Sequence, residues 1–145
     1  MMTELSQERL VVALTAIAAA EGVLTTTLQY TKDRQAFGKQ IAEFQNTRFK
    51  LAEVATEITI GRTFADRCVE LHCEKKLDQA TASMAKYWLT DLQSKVADEC
   101  LQLHGGYGYI WEYHVARAWA DARVQRIYAG TNEIMKELIA RNVLK

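Results

Sequence analysis

The chain contains no proline. Proline inside a helix removes a backbone donor and clashes with the preceding turn, so its absence deletes the commonest stop signal. Long apolar periods therefore run on until a glycine or a polar cluster ends them. Only seven glycines are present, and three of them crowd into His104-Gly105-Gly106-Tyr107-Gly108-Tyr109. A chain with so few breaks is driven toward long helices.

Five helical segments follow from the periodicity. The first runs from Glu4 to Lys32, with Leu10, Leu14, Ile17, Leu24 and Leu28 on one seam. Glu21 falls on that seam, and a second face of mostly small residues carries Glu8, Val12, Thr15, Ala19 and Gly22. The second runs from Ile41 to Cys73, with Ile41, Phe44, Leu51, Val54, Ile58, Phe64, Cys68 and Leu71 inward. The third runs from Gln79 to Leu103 on Met84, Trp88, Leu92, Val96, Cys100 and Leu103, with Asp78 as its N-cap. The glycine cluster is a forced loop. Two short helices end the chain, Trp111 to Arg123 and Thr131 to Asn142, the latter capped by Thr131 and carrying Glu133 in its first turn. No strand pattern is visible. The expectation is an all-α fold: an antiparallel bundle of three long helices plus two short C-terminal ones, one domain over residues 1–145.

Charge and cysteine content narrow the function. Lys plus Arg and Asp plus Glu balance at 18 each, which disfavours a general nucleic-acid binder. No uninterrupted apolar run approaches the ~20 residues of a membrane span. The polar start, Met1 to Ser6, does not read as a secretory signal. Cys68, Cys73 and Cys100 make no disulfide framework, which favours a reducing compartment.

Several constellations invite chemistry, and each has a bland alternative. His72, His104 and His114 are the only histidines, and none follows a Glu by three residues, so a di-iron bundle site fails. Cys68 and His72 share a helix face, but two ligands without a partner pair suit a plain packing seam better than zinc, and no metal is expected. The glycine loop lacks the Gly-Lys-Ser/Thr of a P-loop and follows no strand. It still lets a ligand approach the backbone, where a simple turn is the alternative. Gly130-Thr131-Asn132-Glu133 opens a helix whose free N–H groups suit an oxygen ligand or a cap alone. Arg34 follows the first helix, where a cation suits either phosphate or the helix dipole. Glu8 and Glu21 are rival carboxylates. Periodicity makes Glu21 the more buried.

Together these pieces resemble the acyl-CoA dehydrogenase family. Tyr30, Arg34, Phe37, Gly38, Ile41 and Gln45 stand at the spacing of its Y-x-x-x-R-x-x-F-G-x-x-[IL]-x-x-x-Q segment. Gln102 to Tyr109 is similar to its Q-x-x-G-G-x-G-[YF] loop. Asp121-Ala122-Arg123 and Ile127 to Ile134 are similar to its D-A-[KR] and I-Y-x-G-T elements. Four motifs in order cover nearly the whole chain.

The resemblance implies the C-terminal helical domain of a subunit whose N-terminal helical and middle β domains lie outside these residues. It implies FAD bound between domains and across a subunit interface, in a homodimer or homotetramer. It implies α,β-dehydrogenation of an acyl-CoA, with electron-transferring flavoprotein as the electron acceptor. Cytoplasm in a bacterium, or mitochondrial matrix in a eukaryote, is the implied location. FAD contacts carry over to Arg34, Phe37, Gln45, Gln102, Leu103, His104, Gly105, Gly106, Thr131 and Glu133. Substrate contacts carry over to Arg9, Ala129 and Gly130. The sequence departs from many members at Ala129, where they hold the catalytic glutamate. The long-chain and isovaleryl branch instead supplies the base from a Glu-Arg-Leu sequence on the first helix, and Gln7-Glu8-Arg9-Leu10 resembles it. Glu8 is then the catalytic base, and Glu21 a helix-packing or interface residue. The rival reading from another class is a stand-alone helical module that dimerises or binds an acyl group without FAD. A flavin oxidase on the same fold is a third.

Overall fold

A computed structural model describes residues 2–145, with side chains from residue 5 onward. The element order is α1 (Met2–Asp33), β1 (Gln35–Ala36), β2 (Lys39–Gln40), a 3₁₀ turn (Ile41–Glu43), α2 (Gln45–Cys73), α3 (Gln79–His104), a second 3₁₀ turn (Gly105–Tyr109), α4 (His114–Gln125) and α5 (Asn132–Val143). The fold is an all-α bundle of three long helices and two short ones. Met1, where the polar start of the chain begins, lies outside the described residues.

Several boundaries differ from the periodicity, including that of α4, which begins at His114 and not at Trp111. Between α1 and α2 the chain makes a two-residue antiparallel pairing, Gln35 with Gln40 and Ala36 with Lys39. Phe37 and Gly38 both take positive φ, 53° and 82°, which is the geometry of a tight hairpin turn. Four strand residues are too few to produce an alternating pattern, so this hairpin is silent in the sequence. The 3₁₀ turn after it delays α2 to Gln45. The glycine cluster is not open loop: it coils into the second 3₁₀ turn, and a Cβ on Gly108 would stand 2.5 Å from the Leu101 carbonyl oxygen.

The buried face of α1 shares only Leu10 and Ile17 with its leucine seam. Leu10, Ala13, Ala16, Ile17, Ala20 and Val23 are buried, while Leu14 and Leu24 pack at the flanks and Leu28 is exposed. The partner is α3, which presents Ala82, Ser83, Ala85, Leu89, Val96, Ala97 and Cys100. Small residues on both sides let two backbones approach closely, and that contact wins over burial of the largest side chains. α2 closes the core with Val54, Ile58, Gly61, Ala65 and Cys68.

By length and composition α1 is apolar enough to cross a membrane, with a mean hydropathy of 1.7 over 18 residues. Scattered Thr, Gln and Glu break the runs without lowering the average below that of a span. In this fold the apolar face of α1 packs into the bundle.

Capping follows the sequence. The Asp78 carboxylate accepts from Thr81 N (2.9 Å) and Thr81 Oγ1 (2.7 Å). The Thr131 hydroxyl accepts from Ile134 N at 3.4 Å. Glu21, half-buried, accepts two parallel bonds from Arg62, Nε at 2.7 Å and Nη2 at 2.6 Å. This fork ties α1 to α2 and holds the Glu21 carboxyl below its usual range, chiefly through the hydrogen bond. At that exposure the pair contributes about 1 kcal/mol or less.

Candidate functional site

Two grooves gather most of the candidate residues. The first, of about 760 Å³, is lined by Arg34, Gln102, Leu103, His104, Gly105 and Gly106, with Tyr30, Tyr107 and Ile110 beside them. Residues from α1, the end of α3 and the 3₁₀ turn after it meet here. α3 can stop there because Gly105 takes φ 59°, and no protein atom lies within 4 Å of where a Cβ on Gly105 or Gly106 would sit. The backbone is bare along that stretch. Across from it the exposed Arg34 guanidinium lies 5.0 Å from the Tyr107 ring centroid. A delocalised cation held over an aromatic ring, in the same groove as unshielded backbone, suits an elongated anion such as a diphosphate.

His104 takes part differently. Its ring is buried, stacks on Tyr30 with centroids 4.1 Å apart, and Nδ1 lies 2.8 Å from the Cys100 carbonyl oxygen. The Tyr30 hydroxyl donates to the His104 carbonyl at 3.2 Å. Burial pushes the His104 pKa below 6.5 despite the bond to Cys100 O. The unfolded chain then binds a proton first as pH falls. The His104 contribution to stability is intact above about pH 6.5 and declines below it. His104→Phe, which keeps a ring against Tyr30, is expected to flatten that slope in urea titrations at pH 5 to 7. A slope identical to wild type would contradict a neutral buried His104.

The second groove, of about 690 Å³, is lined by Gln7, Glu8, Val11, Val12 and Ala129. It brings together two positions 121 residues apart, the exposed carboxylate of Glu8 on α1 and the methyl of Ala129. Ala129 sits at φ 53° and Gly130 at 94°, a strained turn for a non-glycine residue. A Cβ on Gly130 would stand 2.7 Å from Met135 Cε. Arg9 and Gly130 do not line this groove. Arg9 is buried, its Nη1 donates to Ser83 Oγ at 3.4 Å, and its Nε has no partner among the described residues.

The other candidates lie apart. Phe37 is 97% exposed at the hairpin tip, edge-on to Phe44 at 6.4 Å between centroids. Gln45 is exposed at the start of α2. Thr131 and Glu133 open α5, where the Glu133 carboxyl is held below its usual range by its own backbone N–H and the Thr131 hydroxyl.

Sequence reasoning missed Lys86. It is fully buried on α3 and donates to the Gly130 carbonyl at 2.7 Å and to Asn132 Oδ1 at 2.9 Å. The available signal was a polar stripe at helical spacing, Ser83, Lys86, Thr90 and Gln93, all of them buried.

The chain is similar to known proteins over nearly its whole length. The family model described as acyl-CoA dehydrogenase, C-terminal domain, matches residues 1–144. The long-chain specific acyl-CoA dehydrogenase of Mus musculus, a mitochondrial protein, is 56% identical over 144 residues, covering 99% of this chain and 34% of its own length. The crystal structure of an acyl-CoA dehydrogenase from Geobacillus kaustophilus superposes with a TM-score of 0.96 at 54% identity, covering 98% of this chain and 37% of that one. A glutaryl-CoA dehydrogenase from Mycobacterium smegmatis, in complex with FADH2, superposes with a TM-score of 0.92 at 27% identity, covering 96% of this chain and 36% of that one. The chain spans about a third of the length of the relatives it matches.

Proposed function

Because the chain belongs to the acyl-CoA dehydrogenase family, in its C-terminal helical domain, we propose that it supplies the base and one wall of the flavin site of an enzyme that oxidises acyl-CoA thioesters to their α,β-unsaturated forms. The family's N-terminal helical and middle β domains lie outside residues 1–145. The observation that carries the reading is the groove shared by Glu8 and Ala129. Where many members hold a glutamate there is a methyl group, and a carboxylate faces the same space from another helix.

The α proton of a thioester is a weak acid, so its removal needs a carboxylate placed at the carbon. Glu8 is that group. Roles are set by geometry and not by chain order, so α1 and the turn before α5 can each supply the carboxylate. Ala129 lines the thioester end, Gly130 follows it in the same turn, and the small side chains there leave room for the thioester. FAD, when bound, supplies the acceptor for the β hydrogen. The residues fit such a group: Arg34 for the diphosphate, and bare backbone at Gly105 and Gly106 for close approach. Gln102, Leu103 and His104 complete that wall. Phe37, Gln45, Thr131 and Glu133, set apart on the surface, are the contacts made from other sides or to a neighbouring subunit's FAD. Homodimeric or homotetrameric assembly follows from those contacts. Electron-transferring flavoprotein is the electron acceptor, in the bacterial cytoplasm or the mitochondrial matrix.

The test is anaerobic addition of a saturated acyl-CoA to the complete subunit that carries these residues. The flavin band is expected to bleach within the mixing time of a spectrophotometer. The isolated 145 residues, with one wall of the site, are expected to purify colourless. A stand-alone acyl-binding module would give no bleaching and no flavin in either form.

A further inference from the structure

Lys86 is an expensive residue for its position. Its side chain has no exposed surface, and the ammonium reaches from α3 to the turn that opens α5. A buried cation is costly unless fully paired, and a methionine would fill the same space without that cost. Among the described residues no carboxylate pairs with its Nζ. What it touches is the Gly130 carbonyl, at 2.7 Å, and the Asn132 side-chain oxygen, at 2.9 Å.

Asn132 extends the clamp. Its Nδ2 donates to the Tyr87 carbonyl (3.2 Å), Thr90 Oγ1 (3.0 Å) and Asp91 Oδ1 (3.0 Å). Asp91 pairs with Arg126 at 2.6 Å. The Asn132 N–H donates to the Arg126 carbonyl at 3.1 Å, closing the segment from 126 to 132. Inside this frame Ala129 and Gly130 hold two successive positive φ angles. For Ala129 that conformation is unfavourable and persists only if its surroundings enforce it. The Gly130 carbonyl is the one acceptor within the strained pair that the clamp grips directly.

We propose that Lys86 is a positioning residue: by gripping the Gly130 carbonyl from the α3 side it sets the Ala129–Gly130 turn in the orientation that the acyl-CoA thioester meets. The proposal rests on the reading of that turn as the thioester end of the Glu8 groove. Lys86 touches no substrate and acts through the backbone of Gly130.

The electrostatics agree with the geometry. Burial lowers the Lys86 pKa to about 8. Asp91 on α3 and Glu133 on α5 favour the cation, while Arg9 on α1 and Arg126 past α4 oppose it. The Gly130 carbonyl therefore sees its donor change charge in a range open to measurement, well below the 10.5 of an ordinary lysine.

The test has two arms. In the 145-residue chain, the carbonyl carbon of Gly130 and the amide of Thr131 are followed by NMR from pH 6.5 to 10. Both are expected to titrate with a single midpoint shared with Lys86 Nζ, and Lys86→Met is expected to abolish that titration. Gly130 signals indifferent to Lys86 would overturn the contact. In the complete subunit, Lys86→Met is expected to slow acyl-CoA-driven flavin bleaching by at least tenfold. Flavin content and the half-saturating acyl-CoA concentration should stay within threefold of wild type. Lys86→Arg, which keeps a cation and donors, is expected to recover part of the rate. A wild-type rate in Lys86→Met, or a loss of flavin content in proportion to the rate, would overturn the positioning role. Glu8→Gln is run beside it. If Glu8→Gln bleaches normally while Lys86→Met does not, the base assignment fails and the Lys86 grip stands.

Discussion

Replacing Glu8 by glutamine in the complete subunit is expected to slow acyl-CoA-driven flavin bleaching by about 10³-fold or more, with flavin content unchanged. Glutamine keeps the size and hydrogen-bonding shape of the side chain but cannot take a proton, so it removes base catalysis alone. Removal of a positioned base typically costs 10²- to 10⁴-fold, and the upper part of that range applies because Glu8 is the one carboxylate lining the groove among the described residues. Glu21→Gln is the control. Its carboxylate is already committed to Arg62 in a two-bond fork that ties α1 to α2. Losing that fork is expected to cost about 1 kcal/mol or less of stability, since both partners are a third or more exposed, and to leave the bleaching rate intact. Stopped-flow measurement of the two variants separates the carboxylates. A slow Glu21→Gln beside a normal Glu8→Gln would reverse the assignment.

The second large effect concerns the bundle. Gly61 on α2 lies where the three long helices meet, and a Cβ there would stand 2.8 Å from Leu92 Cδ2, 3.0 Å from Ile17 Cδ1 and 3.1 Å from Leu89 Cδ2. Those atoms belong to two other helices, and both sets of side chains are already packed. Overpacking of this kind costs roughly 1–3 kcal/mol, and a branched residue belongs at the top of that range. Gly61→Val is therefore expected to destabilise the chain by about 3 kcal/mol, a fall of about 10 °C in melting temperature for a domain of this size. Gly22 is the counter-example. It sits in the interior of α1 with no atom within 4 Å of a built Cβ, so Gly22→Ala is expected to stabilise by up to about 1 kcal/mol through helix propensity alone. Thermal unfolding of both variants checks the pair. A Gly61→Val protein that melts with wild type would mean that the helices separate more easily than this packing allows.

The helices were legible because their signals are local and repeated. Asp78 caps α3 and Thr131 caps α5 as their side-chain chemistry dictates. The face of each helix was less legible. In α1, leucines mark a seam by size, but Ala13, Ala16 and Ala20 mark the contact with α3, and the criterion that decides is how closely two backbones approach. The hairpin at Gln35 to Gln40 was invisible because it is four strand residues long and is set by the turn at Phe37 and Gly38.

The candidate site divides the same way. Arg34 and the 102–106 stretch belong to motifs that are contiguous in sequence, and they line one groove. Glu8 and Ala129 are 121 residues apart, and only resemblance to a family suggested that they share a role. Lys86 carried no motif. Its meaning lies in which carbonyl it reaches, and that depends on the tertiary fold. Arg9 is a comparable case, a charged residue next to the proposed base whose side chain turns inward toward Ser83 and away from the groove.

Glu8 and Ala129, from opposite ends of the chain, line one groove and so face the same reacting carbon in the proposed enzyme. The direct measurement is the rate of anaerobic flavin bleaching by acyl-CoA in the double variant Glu8→Gln, Ala129→Glu, beside Glu8→Gln alone. The carboxylate then enters the same groove from the turn before α5. Recovery of at least tenfold over Glu8→Gln is the predicted result. A double variant as slow as Glu8→Gln, with flavin bound and the fold intact, would contradict the claim that one groove serves both positions.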